Sequence, residues 1–243
     1  AEEVARIKRE TEGKINVGGA HLAASLLRAG LVDEVEVLIS PVVLGAGGFV
    51  SGPGGVAAWL LRRPLVVHEQ NAVAGLTNRL LARLADRVLE GFPGSFGRGR
   101  RAEHVGNPVR VEIAEIASPE RRYAGREGRA RLLVFGGSQG AARLNAVLPA
   151  AIAELPAHLR PEVLHQTGSR GRDETVAAYR ARGIEADVRP FIDDMAGAYG
   201  WADLAVCRSG ALTVAELAAA GVPAVLVPFP AAVDDHQTRN AEH

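Results

Sequence analysis

Two turns of one kind stand out among the residues that could do chemistry. The apolar run Arg131-Leu-Leu-Val-Phe135 stops at Gly136-Gly-Ser-Gln-Gly140, and Ala141 to Leu155 then reads as a helix that Pro149 should bend or shorten. Leu204 to Cys207 stops in the same way at Arg208-Ser-Gly210, before a helix expected from Thr213 to Ala220. A helix start presents unpaired N–H groups and about half a positive charge, which suits a phosphate. Glycine lets the backbone approach the anion closely, and Ser138 adds a hydroxyl donor. Neither turn is a P-loop, because no Gly-Lys-Ser/Thr follows, and neither is the full dinucleotide fingerprint. Both lie at the carboxyl ends of strands in adjacent α/β units, the edge where open α/β sheets bind ligands.

Glu216 follows Thr213 by three residues. With Thr213 as N-cap this spacing makes a capping box; alternatively the carboxylate accepts both hydroxyls of a ribose, and the two roles are compatible. His68-Glu-Gln-Asn71 puts four polar groups in a row where a strand should end. Such a string reads better as a hydroxyl- or phosphate-reading site than as core. The seven His are scattered, and no pair has ligand spacing with a carboxylate, so no metal site is expected.

The elements that must hold these residues follow an alternating rhythm. Strands are expected at Pro64–His68, Arg87–Glu90, Arg131–Phe135, Glu162–His165, Asp187–Pro190, Leu204–Cys207 and Ala224–Val227. Helices are expected between them, at Val56–Leu61, Thr77–Ala85, Glu174–Arg182 and Thr213–Ala220, the last stopped by Gly221. Strand–helix alternation with short connections predicts parallel sheets in two tandem α/β units. With aromatics at 5% and the hydrophobic fraction at 47%, Ala-rich helices over buried strands suit the composition.

Formal net charge is +0, which argues against a general nucleic-acid binder. Arg98, Arg100, Arg101, Arg121, Arg122, Arg126 and Arg129 crowd one region. They form either a solvated Arg-rich linker or a surface for anionic lipid headgroups. A single Cys207 excludes an intrachain disulfide framework. No run of about 18 apolar residues could span a bilayer, so any membrane association is expected to be peripheral. The Ala at the start and the helix-like residues at the end read as a piece of a longer protein.

Together these strings resemble the MurG family, the peptidoglycan N-acetylglucosaminyltransferases that make lipid II. The likeness runs from about Gly45 to His243, some four fifths of the chain. It is carried by Gly47-Gly-Phe-Val-Ser-Gly-Pro-Gly-Gly55, His68-Glu-Gln-Asn71, Ala74-Gly-Leu-Thr-Asn78 and Val105-Gly-Asn-Pro-Val-Arg110. Gly136-Gly-Ser-Gln-Gly140, Phe191-Ile-Asp-Asp-Met195 and Cys207-Arg-Ser-Gly-Ala-Leu-Thr213 with Glu216 continue it. The resemblance implies a GT-B fold, two Rossmann-like domains with parallel sheets and a cleft between them, the first domain here incomplete. It implies inverting transfer of N-acetylglucosamine from UDP-GlcNAc to an undecaprenyl-diphosphate-linked muramyl-pentapeptide, without a cofactor, at the cytoplasmic face of a bacterial membrane with an anionic surface.

Carried over by motif, the Ile192 backbone would read uracil with Arg110 nearby, and Glu216 would hold the ribose. Ser138, Ala211, Leu212 and Thr213 would surround the diphosphate. His236 and Gln237 fall where the family has a Gln pair reading the sugar, so His236 departs from the pattern. Gly52, Gly54, Gly55, His68, Glu69 and Asn71 would line the acceptor side.

Residues 1–44 instead resemble a fragment of the dihydrofolate-reductase-like, riboflavin-reductase family, through Val17-Gly-Gly19, Leu26-Leu-Arg-Ala-Gly-Leu-Val-Asp33 and Pro41-Val-Val-Leu-Gly45. The expected organisation is therefore a fused fragment at 1–44 and the rest of an acceptor domain at 45–109. A linker at 110–130 and a donor domain at 131–243, truncated at its C-terminus, would follow. The family's first glycine-rich loop is then absent and the catalytic base unassigned. A catalytically inactive UDP-binding fragment stays open as a second reading, and an NADPH-dependent reductase fragment, resting on 1–44 alone, as a third.

Overall fold

The computed structural model describes residues 51–97, 102–137, 141–230 and 235–243. Residues 1–44, expected to be a reductase-like fragment, the residues Arg98, Arg100 and Arg101, and Ser138 lie outside them. The chain divides into two compact units, with the boundary between Val105 and Gly106.

In the first unit, helix α1 (Ser51–Leu60) leads to strand β1 (Val66–Glu69), helix α2 (Leu76–Leu81), strand β2 (Arg87–Glu90) and strand β3 (Glu103–His104). Among the described residues the sheet has the order β1-β2-β3, all parallel, with Val67 opposite Val88 and Leu89 opposite Glu103. Ala58, Leu65, Val67 and Leu81 form its core, with Leu84, Ala85 and Phe96 against them. Helix α1 begins five residues earlier than expected, so Gly52, Gly54 and Gly55 are helical. The reason is packing. A Cβ on Gly55 would run into the Leu81 side chain, and one on Gly52 would touch Thr77, so α1 lies close on α2.

The second unit opens with two short helices, α3 (Val111–Ala114) and α4 (Pro119–Tyr123), where a linker is expected. Ile113 is fully buried in the unit's main apolar cluster, with Val109 and Ile116 packed beside it. Arg122 donates to the carbonyls of Tyr199 (3.2 Å), Ala220 (2.7 Å) and Gly221 (3.1 Å). Arg126 pairs with Asp203 and donates to Gly200 O at 2.9 Å. Both guanidiniums flank the Tyr123 ring. These two arginines are internal staples, which corrects the expectation of a solvated linker or a lipid-facing basic run for them.

The Rossmann-like body follows: β4 (Arg131–Phe135), α5 (Ala142–Ala153), β5 (Glu162–Gln166), α6 (Arg172–Arg180), β6 (Ala186–Arg189), α7 (Met195–Trp201), β7 (Leu204–Cys207), α8 (Ala211–Ala220), β8 (Ala224–Leu226) and α9 (His236–Glu242). The described strands form a parallel sheet of order β6-β5-β4-β7-β8. Alternate residues explain the two-sided burial. Leu133, Phe135, Leu164, Ala205 and Cys207 face one core, whereas Leu132, Val134, Val163, Val188 and Val206 face the other. Burial pushes the Cys207 thiol up to about 12, so it stays protonated.

Helix α5 runs through Pro149 instead of stopping there. The ring removes one intrahelical bond, and its complete burial against the sheet compensates. Gly221 ends α8 in the left-handed region at φ 59°, as expected for a helix stop.

Candidate functional site

Sheet order decides where a ligand can sit. From β4 the chain winds outward to β5 and β6, then returns to place β7 on the other side of β4. The reversal falls between β4 and β7, and such a switch point opens a crevice at the carboxyl ends of the strands. Phe135 pairs with Cys207 across this junction. Gly137 and Ser209 each stand two residues beyond those partners, so the two glycine turns emerge side by side from neighbouring strands, about 5 Å apart in strand spacing.

On the β4 side, Gly137 has φ 84°, a conformation that an L side chain resists. Gln166, buried at the end of β5, donates from Nε2 to Gly137 O at 3.2 Å and fixes the turn.

On the β7 side, helix α8 starts at Ala211, two residues before its expected start, with Gly210 as N-cap. The first intrahelical bond is Val214 N to Gly210 O at 3.0 Å. The N–H groups of Ala211, Leu212 and Thr213 precede it and have no helical acceptor. Thr213 is thus inside the first turn, and the expected capping box with Glu216 does not form. The Ser209 hydroxyl is fully buried and has no hydrogen-bond partner among the described residues. A buried hydroxyl without a partner costs free energy, and it stands beside the open N–H groups.

Glu216 lies one turn further along α8. Its carboxylate accepts Arg110 Nε on Oε1 (3.0 Å) and Arg110 Nη2 on Oε2 (3.3 Å). Tyr199 Oη donates to Oε2 at 3.2 Å. The Glu216 side chain is 14% exposed against 52% for Arg110. Glu216 raises the Arg110 guanidinium further above its ordinary value, chiefly through the hydrogen bond. Ile192 is buried in the main core just after β6 and anchors the backbone that follows that strand.

The residues expected on the sugar side are placed by α9. Asn240, fully buried, donates to Ser209 O at 3.1 Å and docks this helix on the β7 turn. Gln237 Oε1 accepts from Phe229 N at 2.9 Å, and His236 opens the helix. Arg208 donates to Val227 O (3.0 Å) and Pro228 O (2.8 Å) and lies over the Phe229 ring. Ile192, Arg110, Ala211, Leu212, Thr213, Glu216, His236 and Gln237 are thus all in the second unit. Ser209, Tyr199, Gln166, Arg208 and Asn240 were not singled out from sequence. The available signal was the presence of Arg208 and Ser209 within the quoted turn.

The residues expected on the acceptor side belong to the first unit. Glu69 is 1% exposed. Oε1 accepts from Asn71 N (2.9 Å) and Asn71 Nδ2 (3.1 Å). Oε2 accepts from Gly75 N (3.2 Å) and Asn78 Nδ2 (2.8 Å). A carboxylate has about four acceptor positions, and the turn occupies them all. Glu69 is therefore the organiser of the loop into α2. His68 and Gln70 are also buried. Gly55 is explained by helix packing, while nothing approaches the Cβ position of Gly54. Among the described residues, no group of His, Cys, Asp or Glu could hold a metal ion.

Comparison with known proteins points to one family. Residues 131–243 match the glycosyltransferase family 28 C-terminal domain, and residues 36–90 its N-terminal domain. The chain is 62% identical over 202 residues to the UDP-N-acetylglucosamine–N-acetylmuramyl-(pentapeptide) pyrophosphoryl-undecaprenol N-acetylglucosamine transferase of Nitrosococcus oceani, covering 83% of this chain and 56% of that protein. The enzyme of the same name from Pseudomonas fluorescens Pf-5 is 59% identical over 240 residues, 94% of this chain and 67% of that protein. The crystal structure of Acinetobacter baumannii MurG superposes with a TM-score of 0.75 at 41% identity, over 92% of this chain and 60% of that one. The chain thus spans little more than half the length of the first of these relatives. Its parallel α/β units and these matches place the chain in glycosyltransferase family 28, among the MurG N-acetylglucosaminyltransferases.

Proposed function

We propose that the chain is the UDP-sugar-binding part of an enzyme that transfers N-acetylglucosamine from UDP-GlcNAc to an undecaprenyl-diphosphate-linked muramyl-pentapeptide. The single observation that carries this is the pairing of Phe135 with Cys207, which brings two glycine turns together at the sheet's switch point. The diphosphate rests on the N–H groups of Ala211, Leu212 and Thr213, with Ser138 and Ser209 as hydroxyl donors. Glu216 takes the ribose hydroxyls, the Ile192 backbone takes uracil, and His236 with Gln237 reads the sugar. In transfer, the acceptor hydroxyl bonds to the anomeric carbon and gives up its proton to solvent as the bond to the diphosphate breaks, with inversion, and UDP leaves. The start of α8 takes up the charge that grows on the departing UDP. His68 and Asn71 contribute to the acceptor side, with no cofactor required.

The acceptor is a lipid, and two features of the first unit suit a membrane surface. Trp59, Leu60 and Leu61 at the end of α1, and Leu76 and Leu80 on α2, are all exposed. Arg62, Arg79 and Arg83 interleave with them. Apolar side chains ringed by arginine suit peripheral contact with anionic lipid on the cytoplasmic side. No described helix is long and apolar enough to cross a bilayer.

Calorimetric titration with UDP tests the site. Glu216→Ala and Ser138→Ala should each weaken binding by about tenfold or more, as expected for lost charge-assisted or hydroxyl contacts. Unchanged affinity in both variants would remove the nucleotide site. A radiolabel transfer assay with a lipid-linked acceptor tests the reaction: transferred label supports it, and UDP binding without transfer leaves a non-catalytic UDP-binding chain.

A further inference from the structure

One buried side chain of the second unit touches the Glu216 carboxylate yet has no part in the nucleotide contacts above. Tyr199 is fully buried on α7. Its ring stands edge-on to Phe135 at the end of β4, centroids 5.8 Å apart. Its backbone carbonyl accepts from Arg122, and its hydroxyl donates to Glu216 Oε2. The side chain is thus held at ring and hydroxyl, and the main chain beneath it by the staple. Arg110, the other partner of Glu216, is half exposed and can swing away.

The acceptor positions on Glu216 show what this difference means. A carboxylate offers about four. Arg110 uses one on each oxygen and Tyr199 one on Oε2. A ribose brings two hydroxyl donors. Room for both exists only when the exposed Arg110 yields, and the buried Tyr199 then remains, among the described residues, the one protein donor that orients the carboxylate. Burial, and next the Glu216 charge, push the Tyr199 hydroxyl far above its ordinary value, so it stays an O–H donor at every working pH.

We propose that Tyr199 is a positioning residue for ribose recognition: its hydroxyl fixes Glu216 so that the free acceptor positions meet the two ribose hydroxyls. The proposal rests on the reading of the second unit as a UDP site, and it assigns ribose selectivity to a residue that never touches the nucleotide.

The test is a titration of UDP and of 2′-deoxy-UDP against the 243-residue chain, Tyr199→Phe and Glu216→Ala, with melting temperatures alongside. Tyr199→Phe deletes one oxygen and keeps the ring against Phe135. It should weaken UDP about tenfold, the scale of one hydrogen bond to a charged acceptor. Binding of 2′-deoxy-UDP should weaken clearly less, so the preference for ribose shrinks. Glu216→Ala should abolish that preference. Equal weakening of both nucleotides by Tyr199→Phe is the signature of general loosening and overturns the proposal. So does a wild-type preference in Tyr199→Phe when Glu216→Ala has lost it, which leaves the UDP site itself standing. If Glu216→Ala keeps the preference, the carboxylate does not read ribose, and the positioning role goes with it.

Discussion

His165 makes the second unit acid-sensitive in a way that can be worked out. The ring is fully buried on β5. Nε2 lies 3.1 Å from Asn145 Oδ1, and Nδ1 lies 3.0 Å from Tyr179 Oη. Asn145 Nδ2 donates to Thr167 O at 3.0 Å, so Oδ1 is the acceptor and Nε2 carries the proton. Nδ1 then accepts from the tyrosine. A second proton would create a buried cation with no carboxylate beside it, and burial accordingly lowers the imidazole from 6.5 to about 4. The unfolded chain takes up that proton first as pH falls. Stability is therefore fully present above pH 6.5 and declines as pH drops toward 4. The linkage slope approaches about 1.36 kcal/mol per pH unit, which gives about 2 kcal/mol between pH 7.5 and pH 5.0. Urea unfolding followed by Trp201 fluorescence in a Trp59→Phe background reads this unit alone. His165→Gln should be less stable at pH 7.5 but should lose about 2 kcal/mol less than its parent on going to pH 5.0. An NMR titration placing the His165 ring above pH 6 would refute the reasoning, as would equal losses in parent and variant.

Glu69→Ala strands Asn71 N, Gly75 N and Asn78 Nδ2, and should cost about 3 kcal/mol or more in urea unfolding of the first unit. Ser209→Ala removes a hydroxyl with no partner, so the melting temperature should hold or rise while UDP affinity in calorimetry falls several-fold. Gly137→Ala imposes a left-handed conformation on an L residue and should cost about 1–2 kcal/mol, with weaker UDP binding because the turn shifts. Gly55→Leu drives a branched side chain into Leu81 and should lower the melting temperature of the first unit, measured by circular dichroism.

Strand and turn placement were legible because apolar runs and glycine punctuation are local signals, whereas the order of strands in the sheet is set by contacts far apart in sequence. Arg131–Phe135, Arg87–Glu90 and Leu204–Cys207 form strands as expected. The α8 start was misread because Thr213 looks like an N-cap, whereas the turn geometry at Gly210 sets the start two residues earlier. Residues 110–130 read as linker because charges, Pro and Gly stand out in them. Their role depends on what lies beneath: Ile113 is buried, and Arg122 meets carbonyls 77 to 99 positions away. The loop-organising role of Glu69 is hidden in the sequence because its four donors, on Asn71, Gly75 and Asn78, are collected only when the chain turns back. Tyr199 and Gln166 carried no signal, since a tyrosine in an apolar helix and a glutamine ending a strand are ordinary.

Arg122 holds the far ends of two helices with one guanidinium, and those helices carry Tyr199 and Glu216. Tension applied along the segment that begins the second unit would pass through that grip into the spacing between the phenol and the carboxylate. On the reading proposed above, the hold on a ribose is thereby geared to α4, and a pull of a few tenths of an ångström there is enough to stretch the 3.2 Å bond between them toward the limit of a hydrogen bond.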